Sequence, residues 1–185
     1  MTEAISTDTP DSLLIREIAT QSHDEVSLVA ERMQATLIEI EGAHNAARLH
    51  SPQWIRDRLL WHIDNPEVLG KAMVAVLGTG EIIGHTLLRR ETDPTGRDYG
   101  LFSTTYVVPR YRRQGIASRL LLAGEEWFRH FGLNRFSTWT SATNTKLIHL
   151  YEKHNYQVIS SGRNEVTGTL MVHLSKVLPP PDGAA

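Results

Sequence analysis

The sequence predicts an α/β fold with a mixed, mostly antiparallel sheet flanked by helices, in the order β-α-α-β-β-β-α-β-α-β-β. Three observations carry this. Residues Leu101–Phe131 read as a strand closed by Pro109, a short basic loop and a long amphipathic helix. Upstream, Lys71–Leu77 and Glu81–Arg90 are β-rich runs split by Gly78-Thr79-Gly80, the signature of a hairpin. Downstream, Arg135–Lys176 holds three β-rich runs with one short helical pattern among them.

Taken in order, Leu13–Ala19 alternates as a first strand. Asp24 can cap a helix running to Ile40, with Val26, Val29, Met33, Leu37 and Ile40 along one stripe and Gly42 past its end. Ser51-Pro52 is a cap followed by proline at the first helical position, opening a second helix to about Asp64. Asp93-Pro94-Thr95-Gly96 is turn chemistry before the strand that starts at Tyr99. From Ile116, apolar residues recur at Leu120, Leu121, Trp127, Phe128 and Phe131, and Gly132 stops that helix. Arg135–Thr140 is a strand, Thr143 or Asn144 starts a helix to about His154, and Gln157–Ser161 with Thr169–Lys176 forms the last strand pair. The expected domain is 13–178, between a flexible segment 1–12 and a Pro-rich tail 179–185.

The chain of 185 residues is long enough for a sizeable core. A net charge of −2 gives no global basic field, so nucleic acid is not an expected partner. With no cysteine there are no disulfides, thiolate metal sites or thiol nucleophile. No signal pattern opens the sequence and no apolar run approaches the roughly 20 residues of a membrane span. A cytoplasmic protein with no membrane partner is the expectation.

The loop Arg110-Tyr111-Arg112-Arg113-Gln114-Gly115-Ile116-Ala117 has the chemistry of an anion site. The first turn of a helix leaves N–H groups without partners and carries about half a positive charge. Gly115 and Ala117 let a phosphate approach the backbone, and arginines neutralise it. No Gly-Lys-Ser/Thr follows and there is no Gly-x-Gly-x-x-Gly, so neither a Walker loop nor a dinucleotide fold is supported.

Arg112-x-x-Gly115-x-Ala117, directly after a strand ending Tyr106-Val107-Val108-Pro109, resembles the acyl-CoA-binding signature of the GNAT superfamily of N-acetyltransferases. The segment Asn144–Tyr156 is similar to a second GNAT motif, with an asparagine opening a helix and a tyrosine two turns on at Tyr151. Leu147 stands where alanine is usual, and Asn155 replaces a common glycine with a residue that tolerates the left-handed conformation. The resemblance is strongest from Leu101 to Tyr156; before that it rests on element order.

The resemblance implies transfer of an acetyl group from acetyl-CoA, as co-substrate, to an amine by direct attack on the thioester, with no metal. Tyr106, Val107 and Val108 would meet the pantetheine, while Arg112, Arg113, Gln114, Gly115, Ile116, Ala117 and Ser118 would hold the pyrophosphate. Asn144 would contact the donor, Tyr151 would protonate the leaving thiolate, and a backbone N–H within Thr105–Val107 would serve the oxyanion. Many relatives place a glutamate base where this chain has Leu101. Strand alternation would put Leu101, Ser103 and Thr105 on one face, so a water chain to a remote base (His85, His149, Glu39 or Glu41) stays open, as does an amine needing no base.

Acceptor contacts would come from Glu39, Glu41, His44, His50, Trp54, Trp61 and Asn164. Glu39 and Glu41 also read as a solvated helix end, and Trp54 and Trp61, on one helix face, as core. Nine histidines form no His-x-x-x-His pair on a credible helix. The acceptor is expected to be a small-molecule amine, because no peptide groove is legible; a protein amine stays open, as does a homodimer. The rival class is a non-catalytic acyl-CoA-binding module, motivated by Leu101 and Leu147.

Overall fold

Among the described residues, alternating apolar runs closed by turn residues become seven strands: β1 (Leu14–Glu17), β2 (Gly70–Val76), β3 (Ile82–Thr92), β4 (Asp98–Val107), β5 (Arg135–Ser141), β6 (Gln157–Arg163) and β7 (Leu170–Val177). The helical stripes become α1 (His23–Glu41), α2 (Pro52–Asp64), α3 (Ile116–His130) and α4 (Thr145–Lys153). The computed structural model describes residues 13–43, 45–46 and 50–179. The expected flexible segment 1–12, most of the tail 179–185 and His44 lie outside the described residues.

The sheet order is β1-β2-β3-β4-β5-β7-β6, antiparallel at every pairing except β4 with β5. That single parallel pair is brief: only Gly100–Phe102 match Phe136–Thr138. Past Phe102 the two strands run unpaired with each other, and the sheet opens at its centre.

Caps fix the helix starts. Ser22, not Asp24, begins α1, its hydroxyl accepting from the Glu25 N–H at 3.3 Å; Asp24 sits in the first turn. Ser51 caps α2 by accepting from the Trp54 N–H at 3.1 Å, with Pro52 at the first position as expected. Asn144 caps α4, and Asn155 beyond its end adopts φ 66, the left-handed turn that asparagine tolerates.

Each face of the sheet buries its own core. One face packs Phe102, Phe136 and Leu88 against Leu120, Leu121 and Phe128 of α3 and Tyr151 of α4. The other packs Val74, Val76 and Leu87 against Val26 and Val29 of α1 and Ile55 and Leu59 of α2. The α3 helix approaches β4 closely, because a Cβ on Gly124 would lie 2.5 Å from the Phe102 ring and one on Gly100 2.4 Å from Phe128. A buried ion pair closes the α3 side: Lys176 Nζ lies 2.9 Å from Glu125, which also accepts from the Tyr156 hydroxyl at 3.0 Å.

One irregularity shapes the site. Leu87 faces Thr104 and Leu88 faces Phe102, so Ser103 is an extra residue in β4, a bulge. A bulge reverses the alternation, and the expectation that Leu101, Ser103 and Thr105 share a face is therefore corrected. Ser103 turns to α2, where it meets His62, whereas Thr105 turns to α4 and meets Tyr151.

Candidate active site

The opening between β4 and β5 leads into a cleft of about 1290 Å³. Its walls come from α1, α2, β4, the Arg112–Ser118 loop and α4. The Val108 N–H donates to Ile83 O on β3 at 2.9 Å, so strand alternation turns the N–H of Val107 the opposite way, into the gap left by β5.

A 3-10 turn, Pro109–Tyr111, leads from β4 into the loop. Arg113 takes φ 66 and Gly115 φ 80, both left-handed, and Gly115 immediately precedes α3. The first intrahelical donor is Arg119, bonding to Gly115 O at 3.0 Å. Among the described residues, the N–H groups from Arg113 to Ser118 have no recorded acceptor. A side chain at Gly115 would meet nothing within 4 Å, so the loop stands open in front of a helix start. This arrangement fits a pyrophosphate.

The expected donor-side residues do not all reach the cleft. Tyr106, Val107, Arg112, Arg113, Gly115, Ile116, Ala117, Ser118 and Asn144 line it; Val108 and Gln114 do not. Tyr106 stacks on His85 with ring centroids 5.7 Å apart and receives the Arg112 guanidinium over its face at the same distance. Arg112 is spoken for: both Glu39 oxygens bind it, at 2.9 and 3.0 Å, and its Nε donates to Val107 O. Asn144 turns its amide to Thr140 at 3.2 Å.

Tyr151 is 1% exposed and is not among the residues lining the cleft. Its ring packs between Phe102 and Tyr156, and its hydroxyl faces Thr138 and Thr105, at the point where β4 and β5 separate. Burial pushes its phenol above the ordinary value, so it stays protonated through the neutral range.

The candidate remote bases fare differently. His85 is fully buried, does not line the cleft, and is held by burial and the nearby Arg32 charge at about 3. Glu39 is occupied by Arg112, and Glu41 accepts from the Thr169 hydroxyl at 2.6 Å, so neither is simply a solvated helix end. His149 lines the cleft, its Nδ1–H donating to Thr145 O at 2.7 Å.

The α2 end of the cleft contains groups that sequence reading missed. His62 Nδ1–H donates to Arg58 O at 2.7 Å, which leaves Nε2 to accept from Arg89 at 2.7 Å. Arg89 also donates to Ser103 at 2.8 Å. Burial and the Arg89 charge hold His62 neutral, at about 4. Arg58 lies 4.2 Å from the Trp61 ring centroid and Arg89 5.8 Å, so both cations share one corner. The prediction that Trp54 and Trp61 are core is corrected: they are 46% and 38% exposed, because α2 turns them outward, Trp54 stacking on His50 at 3.8 Å. His50, Trp54 and Asn164 line the cleft, and Trp61 does not. Only the apolar spacing on α2 was visible in sequence; contacts between residues far apart in the chain carry no local signal.

Among the described residues, an open parallel strand pair and a helix start with unpartnered N–H groups stand at one cleft. Residues 33–156 match the model of the acetyltransferase (GNAT) family, and the chain belongs to that family; it is an N-acetyltransferase. Among solved structures, a GNAT acetyltransferase from Streptococcus pneumoniae is 22% identical, with 90% of this chain and 100% of that one covered, at a TM-score of 0.66. A ribosomal-protein-alanine N-acetyltransferase from Brucella melitensis is 16% identical (89% and 99% covered, TM-score 0.68). A spermidine N-acetyltransferase from Vibrio cholerae, in complex with CoA and spermine, is 14% identical (90% and 95% covered, TM-score 0.67). At these identities the likeness is one of fold. No curated protein matches the sequence. Among the described residues, no helix is long and apolar enough to cross a membrane and no group of three His, Cys, Asp or Glu side chains could hold a metal ion.

Proposed function

We propose that this protein transfers the acetyl group of acetyl-CoA to the primary amine of a small molecule by direct attack on the thioester. The observation that carries the reading is the run of unpartnered N–H groups from Arg113 to Ser118, all of whose residues but Gln114 line the same cleft as the β4–β5 gap. The pyrophosphate would be held by those N–H groups, assisted by Arg113, and the pantetheine would lie along Tyr106–Val107.

In the transfer, the amine nitrogen forms a bond to the carbonyl carbon and the C–S bond breaks. The amine loses one proton overall and the departing thiolate gains one. The Val107 N–H, turned into the gap, is the donor for the oxyanion. The Tyr151 hydroxyl, buried behind the cleft wall, would supply the thiolate's proton by way of the Thr105 hydroxyl, which it faces and which lines the cleft.

Neutralising the amine falls largely to solvent. At pH 7 an alkyl ammonium near pKa 10 carries a penalty of about 4 kcal/mol before attack. His62 has its Nε2 lone pair occupied by Arg89, and His85 is sealed from the cleft. An amine of lowered pKa is therefore the better acceptor.

The test is amine-dependent release of CoA thiol from acetyl-CoA across a panel of small amines, with mass detection of the acetylated product. Release that tracks product supports the reading. Tight acetyl-CoA binding with no thiol release for any amine would favour a non-catalytic acyl-CoA-binding role, the rival that Leu101 and Leu147 motivate.

A further inference from the structure

Among the described residues, six cations line the cleft (Arg58, Arg89, Arg112, Arg113, Lys146 and Lys153), against two carboxylates, Glu39 and Glu41. Both carboxylates are engaged, one by Arg112 and the other by Thr169. Four of the cations stand on the donor side, on the 112–118 loop and α4, where phosphates would meet them. Arg58 and Arg89 stand apart, against Trp61, at the end walled by α2 and the Ser103 bulge.

These two cations are incompletely matched. Arg89 gives its Nε to Glu91 and one terminal nitrogen to His62 and Ser103; among the described residues its other terminal nitrogen has no recorded partner. Arg58 has no ion pair or side-chain hydrogen bond among the described residues, and it lies within the field of Arg89 and, to a lesser degree, of the Glu91 carboxylate. A partly buried guanidinium beside another cation is costly unless an anion meets it. Glu91 meets Arg89 through Nε alone, which leaves one carboxylate against two guanidiniums, and His62 adds no charge. Its neutral ring, fixed by Arg58 O, serves to orient Arg89.

We infer that the acceptor is an amino acid: a small amine whose carboxylate is held by Arg58 and the free terminal nitrogen of Arg89, while its amine reaches the β4–β5 gap. This deepens the reading given under Proposed function and rests on it. A planar guanidinium matches a carboxylate through paired N–H donors, whereas the same corner repels a polycation such as a polyamine. Arg58 and Arg89 are specificity-determining residues in this account; they anchor and orient the acceptor rather than move its proton.

The experiment compares kcat/KM, expressed per neutral amine because a carboxamide lowers the pKa of its α-amine below that of the acid, for amino acids, their carboxamides and spermidine, with acetyl-CoA as donor and thiol release as readout. The expected result is a preference of about tenfold or more for each acid over its carboxamide, with spermidine poorest. In Arg58→Gln, KM for the acids rises about tenfold while carboxamide kinetics and acetyl-CoA affinity hold, and Arg58→Lys restores part of the loss. Equal efficiency with acids and carboxamides, or a preference for spermidine, overturns the inference and leaves the acetyl-transfer reading standing. An absence of thiol release with every acceptor, despite acetyl-CoA binding, overturns both.

Discussion

Arg112 and Glu39, 73 residues apart, form a two-pronged ion pair at 2.9 and 3.0 Å that ties the donor loop to α1. The same arginine donates through Nε to Val107 O at 2.8 Å, so it braces the loop from two sides. Glu39 holds the guanidinium above its ordinary pKa, and Arg112 holds the carboxylate below its own. Because the Glu39 side chain is half exposed, the pair is worth at most about 1 kcal/mol. Glu39→Gln should therefore change the acetyl-CoA dissociation constant by less than about fivefold and stability by under about 1 kcal/mol. Calorimetric titration with a parallel urea melt checks this. A loss of binding by two orders of magnitude would make Glu39 part of the site itself.

Tyr151 carries the second prediction. Tyr151→Phe keeps the ring packed between Phe102 and Tyr156 and removes only the hydroxyl facing Thr105 and Thr138. Turnover should fall about tenfold to a thousandfold, with acetyl-CoA affinity unchanged and stability lowered by about 1 kcal/mol. Because burial raises this phenol above its ordinary value, no basic limb from its ionisation should appear below about pH 10. An unchanged kcat would remove Tyr151 from the reaction.

Acid should loosen the fold through two buried histidines. Burial is the first cause in both, holding His62 at about 4 and His85 at about 3. Above about pH 6.5 both rings are neutral whether the chain is folded or not, and the fold keeps its full stability. Below that, the unfolded chain takes up protons that the folded one refuses. Stability then drops by up to about 1.4 kcal/mol per pH unit for each ring, until the folded rings protonate. Urea midpoints measured from pH 7.5 to 4.5 should decline, and His85→Phe should decline less steeply. A flat profile in the parent would show that neither ring is held neutral.

The order of all eleven expected elements was legible because each has a period and a stop: Ser51-Pro52 for α2, Gly78-Thr79-Gly80 for the hairpin, Gly132 after α3. The loop 110–117 was legible as a candidate anion site because its residues are consecutive. What stayed hidden depends on pairing across the chain. No local pattern announces the Ser103 bulge, which reverses the face of Thr105, and alternation read through it gave the wrong partners. The Arg58–His62–Arg89–Ser103 corner joins α2, β3 and β4, and the stripe that located α2 did not tell which way Trp54 and Trp61 would turn. Glu39 read as a free helix end because Arg112 is far away in sequence.

In the proposed function, acetyl-CoA is held by the N–H groups between Arg113 and Ser118. Gly115→Glu tests it most directly. A side chain there meets nothing within 4 Å, so the substitution costs only the strain of φ 80, about 1–2 kcal/mol, while it sets a carboxylate before the helix start. Calorimetric titration with acetyl-CoA should give micromolar binding to the parent and none to the folded variant. Equal binding by both would place the phosphates elsewhere and contradict the account.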